Sequence, residues 1–262
     1  ILVVGSAGSG KSTTLASMID YRNQVRTGHI LTIEEPIEYL HRHRKSIVDQ
    51  REIGLDTLSY ENALKNAMRE APDVILIGEI RDRETMKHAI AYAETGHLCL
   101  STLHANNANQ TLDRIINFFP DDARHQLLID LSMNLQAVIS MRLVKGLDGK
   151  RLPAMELMLR TPYIADLIEK GEIHLLKDAM KQGIELGMLT FDESLFRLYS
   201  AGRISYDEAL LNADSRTDLA LRIRLSSPAG VAGGLEMEKM EGEQHRDAGF
   251  IYAPPANAER HR

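Results

Sequence analysis

Cysteine is nearly absent: the 262 residues include one, Cys99. A single thiol excludes a disulfide framework and any multi-thiolate zinc site, and it suits a reducing cytosol. Long hydrophobic runs are missing too. Apolar stretches such as Ile1–Val4 and Val74–Ile77 are far shorter than the roughly 20 residues that a bilayer span needs. Basic charge is not in excess either. Against 31 Lys and Arg stand 37 Asp and Glu, a formal net charge of −6, which argues against a dedicated nucleic-acid binder. There is no internal repeat. What remains is 44% hydrophobic and 26% charged, the composition of an ordinary globular protein of one large or two modest domains.

The chain opens on Ile-Leu-Val-Val, without a charged n-region or a cleavage signal. It is expected to start inside a β-strand, with further chain upstream. Strand-like runs at Ile1–Val4, His29–Ile33, Val74–Ile77 and Leu98–Leu103 alternate with helical patterns over Lys11–Val25, Tyr60–Glu70 and Glu84–Glu94. That rhythm predicts an α/β fold with a mainly parallel sheet and crossover helices. Leu127, Leu128, Leu131, Leu135 and Val138 share one face of a long predicted helix, and Leu147-Asp-Gly-Lys150 reads as a hairpin turn between short strands. From Pro162 to Ala213 the pattern is helical, broken at Gly171, Gly187 and Gly202, with caps at Thr190 and Ser205. The expected domains are a core over residues 1–160 and a helical C-terminal domain over 161–225. The tail over 226–262, rich in Gly, Ala, Pro and Glu, is expected to be disordered.

Gly5-Ser6-Ala7-Gly8-Ser9-Gly10-Lys11-Ser12 matches the phosphate-binding loop, Gly-x4-Gly-Lys-Ser, between a strand and a helix. Glycine lets the backbone approach closely and turn its N–H groups inward. Lys11 can reach the β and γ oxygens, the Ser12 hydroxyl can ligate Mg²⁺, and the helix N-terminus favours the same anion. The pattern predicts binding of a nucleoside triphosphate.

Glu34, Glu35 and Glu38 follow a predicted strand. In parallel sheets ligands bind at the carboxyl ends of strands, where a carboxylate can orient or deprotonate an attacking water. Glu79 ends the strand Val74–Ile77, where it can hold Mg²⁺ through water or pair with Arg81 or Arg83; the aspartate common at this place is replaced by Gly78-Glu79. His104 ends the run from Leu98 and could sense the γ-phosphate. His41-Arg-His-Arg-Lys45 reads as a solvated basic loop rather than a metal site.

Five segments stand in order: Gly5-Ser-Ala-Gly-Ser-Gly-Lys-Ser-Thr13, Ile33-Glu-Glu-Pro-Ile-Glu38, Asp49-Gln-Arg-Glu-Ile-Gly54, Pro72-Asp-Val-Ile-Leu-Ile-Gly-Glu-Ile-Arg-Asp82 and Ser101-Thr-Leu-His-Ala-Asn-Asn-Ala108. With Gly187-Met-Leu-Thr-Phe-Asp192 and Ala201–Ala209 further on, the chain resembles the type II/IV secretion ATPases, within them the twitching-motility retraction ATPases of the PilT and PilU type. The likeness implies a RecA-like P-loop core and a small helical C-terminal domain. It implies ATP and Mg²⁺ as cofactors, with ATP held by Gly5, Ser6, Ala7, Gly8, Ser9, Gly10, Lys11, Ser12 and Thr13. Ser12, and Glu79 through water, would hold Mg²⁺. Glu38 matches the catalytic base, Glu79 the atypical Walker B glutamate and His104 the histidine-box residue, with Glu34 and Glu35 in support. It further implies a cytoplasmic homo-hexamer at the inner-membrane base of the pilus machine, a platform protein as partner, a PilT-type partner hexamer and no nucleic acid. The family's arginine fingers come largely from an N-terminal domain, and an arginine finger can be worth about 10³–10⁵ in rate, so this chain alone is expected to be nearly inactive. Glu-Glu-Pro at residues 34–36, Leu167-Ile-Glu-Lys170 in place of the PilT retraction box, and the extension past Leu225 are more like PilU.

Other readings stay open on the sequence. A pilus-extension or type II secretion ATPase would usually carry a four-cysteine metal module, which one cysteine cannot build. A small-acceptor kinase would need an Arg-rich lid, and a non-hydrolysing assembly subunit would use ATP only as structural glue.

Overall fold

The computed structural model describes residues 1–226, so the tail expectation falls from residue 227 onward outside the described residues. Ile1–Asp214 form one compact unit, and a second begins at Ser215. Of the second, the described part is the helix Arg216–Ser226.

The first unit is built on a seven-stranded sheet. Its strands are β1 (Leu2–Gly5), β2 (Gly28–Glu34), β3 (Ser46–Glu52), β4 (Val74–Ile77), β5 (Leu98–Leu103), β6 (Ala137–Lys145) and β7 (Arg151–Leu159). They lie in the order β3-β2-β4-β5-β1-β6-β7. Every pairing is parallel except β6 with β7. The helices are α1 (Lys11–Val25), α2 (Tyr60–Ala67), α3 (Arg83–Glu94), α4 (Ala108–Asn117), α5 (Asp121–Asn134), α6 (Pro162–Glu169), α7 (Leu176–Gln182), α8 (Phe191–Ser200) and α9 (Tyr206–Asn212).

The central strands read as unbroken apolar runs because both faces are covered. In β4, Ile75 and Ile77 join the core beneath α2, α4 and α5, while Val74 and Leu76 join Leu15 and Ile19 of α1 on the other face. Each such Leu or Ile contributes about 1.5–3 kcal/mol by burial. Ser59, Asp82, Asn107, Thr161, Thr190 and Ser205 cap α2, α3, α4, α6, α8 and α9, each accepting from a backbone N–H three residues on. Such caps contribute about 1 kcal/mol each.

Three expectations need correction. The long helix ends at Asn134: Leu135 is its C-cap, and Val138 belongs to β6, in register with Leu2 of β1. A spacing of three residues fits a helix face, but pairing with β1 recruits Val138 to the sheet. The strands around Leu147–Lys150 are nine residues each rather than short. Finally, β3 and α4 were not foreseen. β3 is an edge strand with Ile47 exposed, so it carries too few apolar residues to announce itself.

Candidate nucleotide site

The loop after β1 is shaped by what lies under it. A Cβ at Gly5 would meet Ser9 Oγ at 2.4 Å and the Met141 carbonyl at 2.6 Å. Gly8, at φ +72°, has open space where a side chain would stand, which is the bare backbone cradle that a phosphate needs. Ser9 Oγ is buried, with no hydrogen-bond partner among the described residues. Lys11, at the start of α1, donates from Nζ to the carbonyls of Gly5 (3.0 Å) and Ser6 (2.9 Å). Burial pushes its ammonium pKa down, against the raising charges of Glu79 and Glu38.

The segment after β2 folds over the first turn of α1. Ser12 Oγ donates to Glu38 Oε1 at 2.8 Å, and Thr13 Oγ1 and the Tyr39 hydroxyl are 2.7 Å apart. Side chains from neighbouring elements pin this segment. Asn23 of α1 donates to the Arg42 carbonyl and accepts from the N–H groups of Arg44 and Ser46. Gln50 donates to the Tyr39 carbonyl and accepts from His41 N–H, and Glu52 accepts from Ile37 N–H. Glu34 accepts from Thr32 Oγ1 at 2.7 Å.

At the end of β4, Gly78 donates to the Ile33 carbonyl of β2, and Thr102 Oγ1 of β5 donates to the Gly78 carbonyl. Glu79 therefore emerges between two strands, one holding its neighbour by backbone and the other by a threonine hydroxyl. Arg81 donates from Nε to Glu79 (2.7 Å) and from a terminal nitrogen to Glu35 (3.0 Å). His104 Nε2 stands 3.2 Å from the other Glu79 oxygen. After His104, α4 starts from a buried anchor: Ala108 N–H and Ser140 Oγ both donate to Glu156 Oε1 of β7. Burial pushes the Glu156 carboxyl up, opposed by those two hydrogen bonds.

These groups line one cavity of about 400 Å³, bounded by Gly8, Lys11, Ser12, Glu38, Glu79 and His104 among others. Glu34, Glu35 and Thr13 line it as well, whereas Gly5 and Ser6 face a second opening along α4 that His104 shares. Open loop backbone, a cation, a hydroxyl beside a carboxylate and a second carboxylate make a donor set that fits Mg²⁺-nucleotide. Of the two arginines considered for Glu79, Arg81 is the partner, and Arg83 lies over the Phe119 ring. Arg42–Lys45 are exposed, but His41 lines the cavity.

Several contributors were not singled out from sequence: Arg81 as a bridge to Glu35, Tyr60 and Tyr39 in the lining, and Gln50 and Glu52 as clamps. The segment Asp49–Gly54 carried a signal, a run of polar residues in a recognised motif, but its partners are set by strand pairing.

The family model described as "Type II/IV secretion system protein" matches residues 1–163. This chain belongs to that family. It is 59% identical over 228 residues to the type IV pilus ATPase PilU of Pseudomonas aeruginosa, covering 87% of this chain and 60% of that protein. To the PilT retraction ATPase of the same organism it is 46% identical over 209 residues, covering 80% and 61%. A crystal structure of the pilus retraction motor PilT with bound ADP matches at TM-score 0.76 and 43% identity, over 83% of this chain and 62% of that one. The chain thus spans about 60% of the length of the curated relatives named here. Among the described residues, no helix is long and apolar enough to cross a membrane.

Proposed function

We propose that this chain carries the ATPase core of a PilU-like motor, which hydrolyses ATP to drive type IV pilus retraction. The observation that carries the reading is the convergence of Lys11, Ser12, Glu38, Glu79 and His104 on one cavity. In this reading the loop amides and Lys11 hold the phosphates. Ser12 would hold Mg²⁺ by its hydroxyl and Glu79 would do so through water; bound there, the ion would offset charge on the phosphate oxygens. Glu38 orients and deprotonates the attacking water, and His104, beside Glu79, responds to the γ-phosphate. The remaining parts of the reading come from the family: a homo-hexamer at the inner-membrane base of the pilus machine, a platform protein and a PilT-type hexamer as partners. The likeness over most of this chain to PilU, and to the PilT retraction ATPase, favours retraction over extension or type II secretion. The domain division proposed with it is a core over 1–160 and a helical C-terminal domain over 161–225.

The test is steady-state ATP hydrolysis by the full-length protein, measured across protein concentrations that bracket assembly. Specific activity should rise with concentration and then plateau, since a motor site is completed by a neighbouring subunit. Activity that is constant at every concentration would refute the hexameric motor.

A further inference from the structure

Tyr60, the first residue of α2, contributes to the lining of the nucleotide cavity. Its ring packs partly buried against the main core, and its hydroxyl reaches the carboxyl ends of β2 and β4. A Cβ added at Gly78 would stand 3.1 Å from that hydroxyl, 3.2 Å from Glu34 Cα and 3.3 Å from the Ile33 carbonyl. Glycine at 78 is what leaves the phenol its room. The position where many phosphate-loop proteins place an aspartate is thus bare here, and a tyrosine hydroxyl borrowed from α2 occupies the space beside it.

The chemistry of that space is anionic. Glu35, Glu79 and Glu34 all act electrostatically on the hydroxyl, with Arg81 opposing them. Arg81 is committed to Glu79 and Glu35, and Thr102 to the Gly78 carbonyl. No hydrogen bond to the Tyr60 hydroxyl is made among the described residues. Burial, ahead of the nearby charges, pushes the phenol up to about 12. The group is therefore a neutral donor throughout the working pH range, and the carboxylates around it, Glu34, Glu35 and Glu79, already accept from Thr32 and Arg81 but keep lone pairs for a further donor.

We propose that Tyr60 is a positioning residue of the hydrolytic site, its hydroxyl donating a hydrogen bond into the Glu34–Glu79 side of the cavity and so orienting the water that Glu38 and Glu79 manage. The proposal rests on the ATPase reading above. It differs from a packing role in one respect: packing needs the ring, whereas positioning needs only the oxygen.

Tyr60→Phe separates the two. The full-length protein and its variant are compared in single-turnover hydrolysis of labelled ATP with protein in excess, alongside calorimetric binding of Mg-ADP and thermal melting. The hydrolysis rate should fall about three- to tenfold, the loss expected for one neutral hydrogen bond. The ADP dissociation constant should stay within twofold and the melting temperature within a few degrees. A variant that hydrolyses at the wild-type rate would overturn the proposal while leaving the ATPase reading intact. A rate loss accompanied by an equal loss of ADP affinity would also overturn it, since that marks a binding or structural role. No hydrolysis by the full-length wild-type protein over the same time would instead bring down the ATPase reading, and this inference with it.

Discussion

Removing the Lys11 ammonium tests the nucleotide site most directly. The lysine does not wait in solvent: it is buried and donates to two loop carbonyls at 3.0 and 2.9 Å. Binding a nucleotide therefore exchanges those bonds for bonds to phosphate oxygens rather than adding new ones. A hydrogen bond to a charged group contributes about 1.5–3 kcal/mol, and the carbonyl bonds given up offset part of that. The net gain is about 1 kcal/mol or slightly more for each of two bonds, or about 2–3 kcal/mol in all. At 1.4 kcal/mol per tenfold, Lys11→Ala should weaken Mg-ADP or Mg-ATP binding about 30- to 150-fold. Burial already works against the ammonium in the folded chain, so the variant should melt within a few degrees of the parent. Calorimetric titration of both proteins reads the affinity, and melting without nucleotide reads the fold. Affinity within threefold of wild type would refute the exchange argument and the assignment of the loop together.

Other perturbations address other parts of the molecule. Glu79→Gln should bind Mg-ATP as the parent does while hydrolysing it at least about tenfold more slowly, as expected for a lost positioning carboxylate; wild-type turnover would move the chemistry elsewhere. Asp214→Asn should cost about 2–3 kcal/mol, below the figure for a fully buried pair because Arg142 and Lys177, each 2.7 Å from Asp214, keep some exposure. Burial pushes the Asp214 carboxyl up, but hydrogen bonds and charge from Lys177 and Arg142 outweigh it and the net direction is down. A carboxyl depressed by folding stabilises above its unfolded value of about 3.9 and loses that contribution as pH falls through the folded one. The gap between variant and parent in urea denaturation should therefore be full at pH 7 and shrink only below about pH 4; a gap that is independent of pH down to 3 would refute this account.

The sequence by itself was sufficient for whatever depends on local chemistry. The phosphate loop is legible because glycine, lysine and serine at that spacing have few other uses between a strand and a helix. The helix over Lys11–Val25 was placed to the residue, and the breaks at Gly171, Gly187 and Gly202 fall where the backbone turns left-handed. The buried strands announced themselves as short apolar runs, since β4 and its neighbours are covered on both faces. Ordered motifs then carried the family.

Tertiary structure decided what depends on partners distant in the chain. β3 was invisible because an edge strand with one solvated face need not look apolar, yet its Gln50 and Glu52 hold down the segment that carries Glu38. Val138 obeyed a helical spacing and still became a strand, because β1 offered it a parallel neighbour. The bridge from Glu79 through Arg81 to Glu35 spans 46 positions between Arg81 and Glu35, and no local pattern encodes it. Tyr60 looked like the start of a helix and nothing more. Its place beside the carboxylates follows from α2 packing against β2, which ends at Glu34, and from a glycine at 78 that lets the hydroxyl in. Propensity and motif are read along the chain, but hydrogen bonds, ion pairs and cavities are properties of distance in space, and the sheet order sets those distances.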